Sequence, residues 1–116
     1  MADSTNSILG TVSKLLGSED EYFEPDLITH INSVFATLQQ LGVGPEEGFS
    51  ISDDTALWSD YTNDLKILNM VKSYMVLKVK LLFDISTASS YVIDNMKQQC
   101  AEYEWRLSVA VDQWSS

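Results

Sequence analysis

DYTNDLKILNMVKSYMVLKVKLLF, Asp60 to Phe83, is the stretch on which the fold turns. Wound at about 100° per residue, Ile67, Leu68, Met70, Val71, Tyr74, Met75, Leu77, Val79, Leu81 and Leu82 cover an arc of roughly 200°, about twice what a one-sided surface helix needs. Such a helix has to be covered from two directions, and a second side buried by another subunit is the economical explanation. Lys78 falls inside the arc. Its ammonium either snorkels outward along its own stem or pairs with a carboxylate across a helix or subunit interface.

Downstream, Asp84-Ile85-Ser86-Thr87 reads as a tight turn with capping side chains, which lets the last helix pack antiparallel to the one before it. In that last helix Ile93, Met96, Cys100, Tyr103, Leu107, Ala110 and Trp114 recur by three and four through three heptads. Cys100 lies in this seam and reads as a small buried hydrophobe rather than a reactive thiol. Glu102 and Arg106 make an i, i+4 pair on the outside.

Upstream, GVGPEEGFSISDDTALWS (Gly42 to Ser59) is irregular, and a connection this long in a small domain is usually a functional loop. Within it Phe49-Ser50-Ile51-Ser52 alternates with period two. That pattern fits a short edge strand or an arm extended onto a neighbour, and it fits ordinary loop anchoring equally well. Before the loop, Leu27, Ile31, Val34, Leu38 and Leu41 step by four and three, with Ile28 and Phe35 widening the stripe. Pro25 suits the first helical position, Glu24 and Asp26 complement the helix dipole, and Gly42 ends the element. Residues 5–16 read as a short amphipathic helix on Ile8, Leu9, Val12, Leu15 and Leu16, closed by Gly17. From Ser18 to Asp26 five carboxylates repel one another and predict an extended linker.

The expected fold is therefore all-α: a small antiparallel helical bundle of three long helices plus a short N-terminal helix, with a long loop between the second and third helices. The 116 residues form one domain, with 1–25 as N-terminal helix and acidic linker and 26–116 as the core bundle.

Composition narrows the function. An apolar content of 45% is that of a globular chain, and a net charge of −10 repels phosphate backbones and anionic lipid, so neither nucleic acid nor a membrane is an expected partner. MADSTNSILG has no basic region leading into an apolar run, and no run approaches the roughly 20 residues a bilayer requires, so neither a secretory leader nor a spanning helix is expected. Cys100 is the single cysteine and His30 the single histidine. No internal disulfide, cysteine-based metal site or Ser-His or Cys-His nucleophile can be assembled from them. GVGPEEG places two glutamates where a phosphate would sit. Asp53, Asp54, Asp60 and Asp64 lack the alternation, central glycine and terminal Glu of a calcium loop, and read as surface and cap carboxylates. No enzyme activity and no cofactor are expected.

Two patterns point to association. Residues 1–64 hold twelve carboxylates against Lys14, whereas 65–116 hold five against six bases, including Lys66, Lys72, Lys78 and Lys80. This division fits head-to-tail contact between copies, and balance within one chain fits it as well. Between Asp26 and Glu46 no side chain is charged, counting His30 as neutral, and the outer face is Thr29, Asn32, Ser33, Ala36, Thr37, Gln39 and Gln40. Interfaces are depleted of charge at their centres. The expected contact residues are Thr29, Asn32, Ser33, Ala36, Thr37 and Gln40, with Phe49, Ile51, Trp58, Tyr61 and Lys78.

The runs DLITHINSVFATLQQLGVGPEEGFSI (Asp26 to Ile51), WSDY (Trp58 to Tyr61), VKSYMVLKVKLLFD (Val71 to Asp84) and EWRL (Glu104 to Leu107), with the opening SILGTVSKLLGSEDE, resemble the small head-tail connector, or adaptor, proteins of tailed phages and prophages. The resemblance departs at Ile85-Ser86, where a pair of prolines commonly follows the Phe-Asp. It implies an all-helical, non-catalytic protein whose copies form a ring, of about twelve, joining the capsid portal protein to a tail-side completion or stopper protein. The expected location is the virion head-tail junction, and the bacterial host cytoplasm during assembly. An acidic helical regulatory or adaptor module binding one phage or host protein is the alternative reading.

Overall fold

Ser7 opens the first helix by accepting the Gly10 amide on its hydroxyl (3.1 Å), and Gly17, in the left-handed region at φ 76°, closes it. A computed structural model describes residues 7–17 and 24–115, with side chains up to residue 111. The five helices of the described residues are α1 (Ile8–Leu16), α2 (Glu24–Gln40), α3 (Trp58–Tyr61), α4 (Leu65–Asp84) and α5 (Ser90–Ser115). No strand occurs among the described residues. An isolated bridge pairs Ser7 with Leu57.

α4 is the centre of the molecule. α5 returns along one side of it, placing Tyr103 and Glu104 beside Tyr74, while α1 and α2 pack on the others. Most of the wide apolar arc is covered within the chain rather than by another subunit, with Ile67, Leu68, Val71, Tyr74, Met75, Val79 and Leu81 buried and Met70, Leu77 and Leu82 half-buried. Leu27, Ile31, Val34, Phe35 and Leu38 bury the inner face of α2. Ile93, Met96, Cys100 and Leu107 bury that of α5. Ile8, Leu9 and Val12 make α1 part of the same core.

The structure corrects the sequence reading at two places and decides between its alternatives at a third. Asp60 to Phe83 is not one helix: α3 ends at Tyr61, and α4 restarts at Leu65 after Asp64, whose carboxylate accepts from the amides of Lys66 (3.0 Å) and Ile67 (3.4 Å). The apolar phase carries on through this break because both pieces pack on one core, which is why periodicity alone runs them together. Glu24 to Asp26 are the first turn of α2 rather than the end of a linker, since their charges lie at its positive pole. The remainder of the expected linker, 18–23, lies outside the described residues, as do residues 5 and 6 of the expected first helix. Phe49 to Ser52 forms no strand, because its backbone is bonded by a side chain instead of by a partner strand.

Candidate interaction surfaces

The connection between α2 and α3 is fixed to the body of the chain along its length. Asn32, at the middle of α2, donates through Nδ2 to the Ile51 carbonyl (2.9 Å) and accepts the Ile51 amide on Oδ1 (2.8 Å). This pair imitates the two bonds of a strand partner. Two turns further along, Gln39 donates to the Glu46 carbonyl (3.0 Å), and Gly48 N–H closes a turn onto Pro45 (3.0 Å). Gly44 has a positive φ of 88°, and a Cβ there would stand 2.5 Å from the Tyr61 ring, so only glycine fits.

Beneath the loop lies an aromatic cluster. Phe35 packs against Phe49 (centroids 5.0 Å), Tyr61 (4.8 Å) and Trp58 (6.5 Å). Tyr61 donates its hydroxyl to the Val43 carbonyl (3.3 Å), and burial pushes that hydroxyl far above its ordinary pKa. Trp58 donates to Thr11 on α1 (3.1 Å), Lys72 stands over its ring at 5.6 Å, and Ser7 donates to the Asp54 carbonyl (2.9 Å). The loop end and α1 therefore hold each other.

This geometry divides the residues expected at an interface. Ile51, Trp58 and Tyr61 are buried in the core of their own chain, and Phe49 is half-buried against Phe35 and Tyr61. Their apolar character is spent on anchoring the loop. Asn32 faces the loop of its own chain. Thr29, Ser33, Ala36 and Gln40, at i, i+4, i+7 and i+11, lie together on the exposed side of α2, with Thr37 half-buried at its margin. The hydroxyls of Thr29 and Thr37 donate to the carbonyls of Pro25 (2.9 Å) and Ser33 (3.4 Å) on their own helix, which reduces their call for water or other partners. The face is small, uncharged and low in unsatisfied polarity.

Lys78 pairs across a helix. Its Nζ lies 3.8 Å from Glu104 Oε2 on α5, and the same oxygen accepts the Tyr74 hydroxyl at 2.7 Å. Sequence spacing could not find Glu104, because the antiparallel return of α5 brings it there. Burial, with the Glu104 carboxylate adding to it, raises the Tyr74 hydroxyl well above its ordinary range. Burial likewise raises the Cys100 thiol, which makes it a poor nucleophile.

The carboxylates that might suggest a metal have other work. Asp53 accepts from the Thr55 amide and hydroxyl, bonds that lower its pKa, while Asp60 accepts the Leu57 amide (2.9 Å) and Asp64 caps α4. Among the described residues no group of three or more His, Cys, Asp or Glu side chains could hold a metal ion. No helix of the described residues is long and apolar enough to cross a membrane.

On the far side, α5 exposes Tyr91 (79%) and Trp105 (66%) on one face, two aromatic side chains left to solvent while the other large rings among the described residues are mostly covered. Between α1 and α4, Leu15, Lys72, Ser73, Val76, Leu77 and Lys80 line an open groove of about 340 Å³.

Comparison with known proteins adds one finding. The family model described as Phage connector protein matches residues 8–114, from the first residue of α1 into the last turn of α5. No curated protein and no solved structure matches the chain.

Proposed function

The chain belongs to the phage connector protein family, and on that premise we propose that it is a non-enzymatic structural protein of a tailed phage or prophage, whose copies close a ring between the capsid portal and the tail-side proteins. The observation that carries this reading is the extent of the match, which takes in all five helices and the anchored loop rather than one motif. We read α2, α4 and α5 as the long helices of one bundle, braced by α1, and residues 1–116 as a single unit. The protein then acts by presenting surfaces, first in the host cytoplasm and then at the virion's head-tail junction.

The stripe Thr29, Ser33, Ala36 and Gln40 is the surface we assign to contact between copies. An uncharged helix face whose Thr29 hydroxyl, and that of Thr37 at its margin, are bonded to its own backbone loses less solvation than a charged one when covered. Native mass spectrometry of the purified chain over a wide concentration range, alone and with the portal protein, tests the reading. A closed oligomer, formed alone or on the portal, is the expected result. A chain that stays monomeric and does not bind the portal would overturn it.

A further inference from the structure

The charged residues of α4 are all lysines until Asp84: Lys66, Lys72, Lys78 and Lys80. Lys78 turns to Glu104 on α5. Lys72 and Lys80 lie on the other side of the helix, where they flank the groove between α1 and α4, whose apolar lining is Leu15, Val76 and Leu77; Lys80 also pairs with Asp84 one turn on (3.2 Å), and Lys72 stands over the Trp58 ring. Leu15, 60% exposed, forms its lip. An apolar floor between two ammonium groups suits an acidic segment with some apolar surface of its own.

The same chain carries such a segment on a different part of its surface. Pro45-Glu46-Glu47-Gly48 is a closed turn, pinned from below by the Gln39 bond to the Glu46 carbonyl. Gly48 packs so closely that a Cβ would stand 2.8 Å from Gln39 Oε1. The carboxylates of Glu46 and Glu47 are exposed and make no hydrogen bond or ion pair among the described residues. This knob sits near the N-terminal end of α4, where Gly44 lies on the Tyr61 ring. The groove is centred near Val76, in the second half of α4. Because Gln39 and Tyr61 tether the loop, a chain does not fold its own knob into its own groove.

We propose that the groove between α1 and α4 receives the Pro45–Gly48 turn of a second copy of this chain, with Glu46 and Glu47 meeting Lys72 and Lys80. The proposal rests on the self-association argued above and gives it a direction. Each copy offers one knob and one groove on different surfaces, so the contact is head-to-tail, and its repetition closes a ring when the rotation permits. The knob adjoins the C-terminal end of the α2 stripe, so stripe and knob can face one neighbour together.

Charge reversal on each side, followed by mixing, tests this. Lys72→Glu with Lys80→Glu reverses the groove, and Glu46→Lys with Glu47→Lys reverses the knob. Circular dichroism checks that both fold; Lys80→Glu alone replaces the groove variant should the loss of Lys72 over Trp58 unfold it. Sedimentation velocity at low salt should show each variant alone associating roughly tenfold or more weakly than the unaltered chain. An equimolar mixture should recover association, since reversed knob meets reversed groove and native knob meets native groove. Variants that assemble as the unaltered chain does, or a mixture that stays dissociated, would overturn the groove assignment and leave self-association standing. An unaltered chain that remains monomeric at every concentration, both alone and with the portal protein, would overturn both.

Discussion

Asn32→Ala removes both hydrogen bonds by which α2 holds the loop, and it separates two roles for this side chain. Each bond contributes about 1 kcal/mol net. Ile51 is 5% exposed, so its amide and carbonyl would also be left poorly solvated, and the total loss should be about 2–3 kcal/mol. In a chain of this size that lowers Tm by roughly 10 °C. Hydrogen exchange gives the sharper readout, because the Ile51 amide lies in no helix and is protected by a side chain alone. Its exchange should speed up by roughly 30-fold or more, the factor that about 2 kcal/mol implies, in excess of any change at core amides such as Val71. Denaturation within 0.5 kcal/mol of the unaltered chain, with Ile51 still protected, would refute the clamp and return Asn32 to the outward-facing set.

Trp58→Phe keeps a ring against Phe35 but loses the Thr11 bond, some volume and the better face for Lys72, and should cost about 2 kcal/mol by urea denaturation; a loss near zero would show that the indole does not tie α1 to the core. Burial raises the Tyr61 and Tyr74 hydroxyls, whereas tyrosine in the unfolded chain ionises near pH 10. Stability from these groups is therefore complete below about pH 10 and falls as pH rises past it. Tyr74→Phe should flatten the alkaline decline, and an unchanged slope would count against the assignment. Ala36→Glu places a charge in the middle of the α2 stripe, where the side chain is exposed, so helicity by circular dichroism should hold while association measured by sedimentation weakens. Intact assembly of that variant would displace the proposed interface.

Helix faces were legible in the sequence because each buried position repeats with the helical period. The stripe from Leu27 to Leu38, the arc from Ile67 to Leu81 and the seam from Ile93 to Leu107 all have buried counterparts in the structure. The break at Thr62 to Asp64 was not, although its signal was present: Asp64 is a good N-cap residue, and Asp60 lies three residues after the Leu57 amide it accepts. An unbroken apolar phase masked both. The places of several interface candidates within the chain were not legible for a different reason. Asn32 looked like a neutral surface residue and Ile51 like part of an arm, since nothing in a linear pattern shows that a side chain on α2 will meet a backbone nineteen positions later. Trp58 and Tyr61 were ambiguous in the same way, because large aromatic side chains serve cores and interfaces alike.

The anchoring of the loop bears directly on how such a chain can assemble. An irregular segment that had to be ordered at a subunit contact would weaken that contact by the entropy of fixing each of its residues. Here Asn32, Gln39, Tyr61 and Ser7 bond the loop in the single chain, so its ordering belongs to folding and not to association. The Pro45–Gly48 turn is presented in one shape before any neighbour arrives. A contact repeated around a closed ring gains from this, since small angular freedom at each interface would add up around the circle and oppose closure. In the proposed ring, the residues hidden inside the chain therefore still serve assembly, by fixing the positions of the few that are exposed.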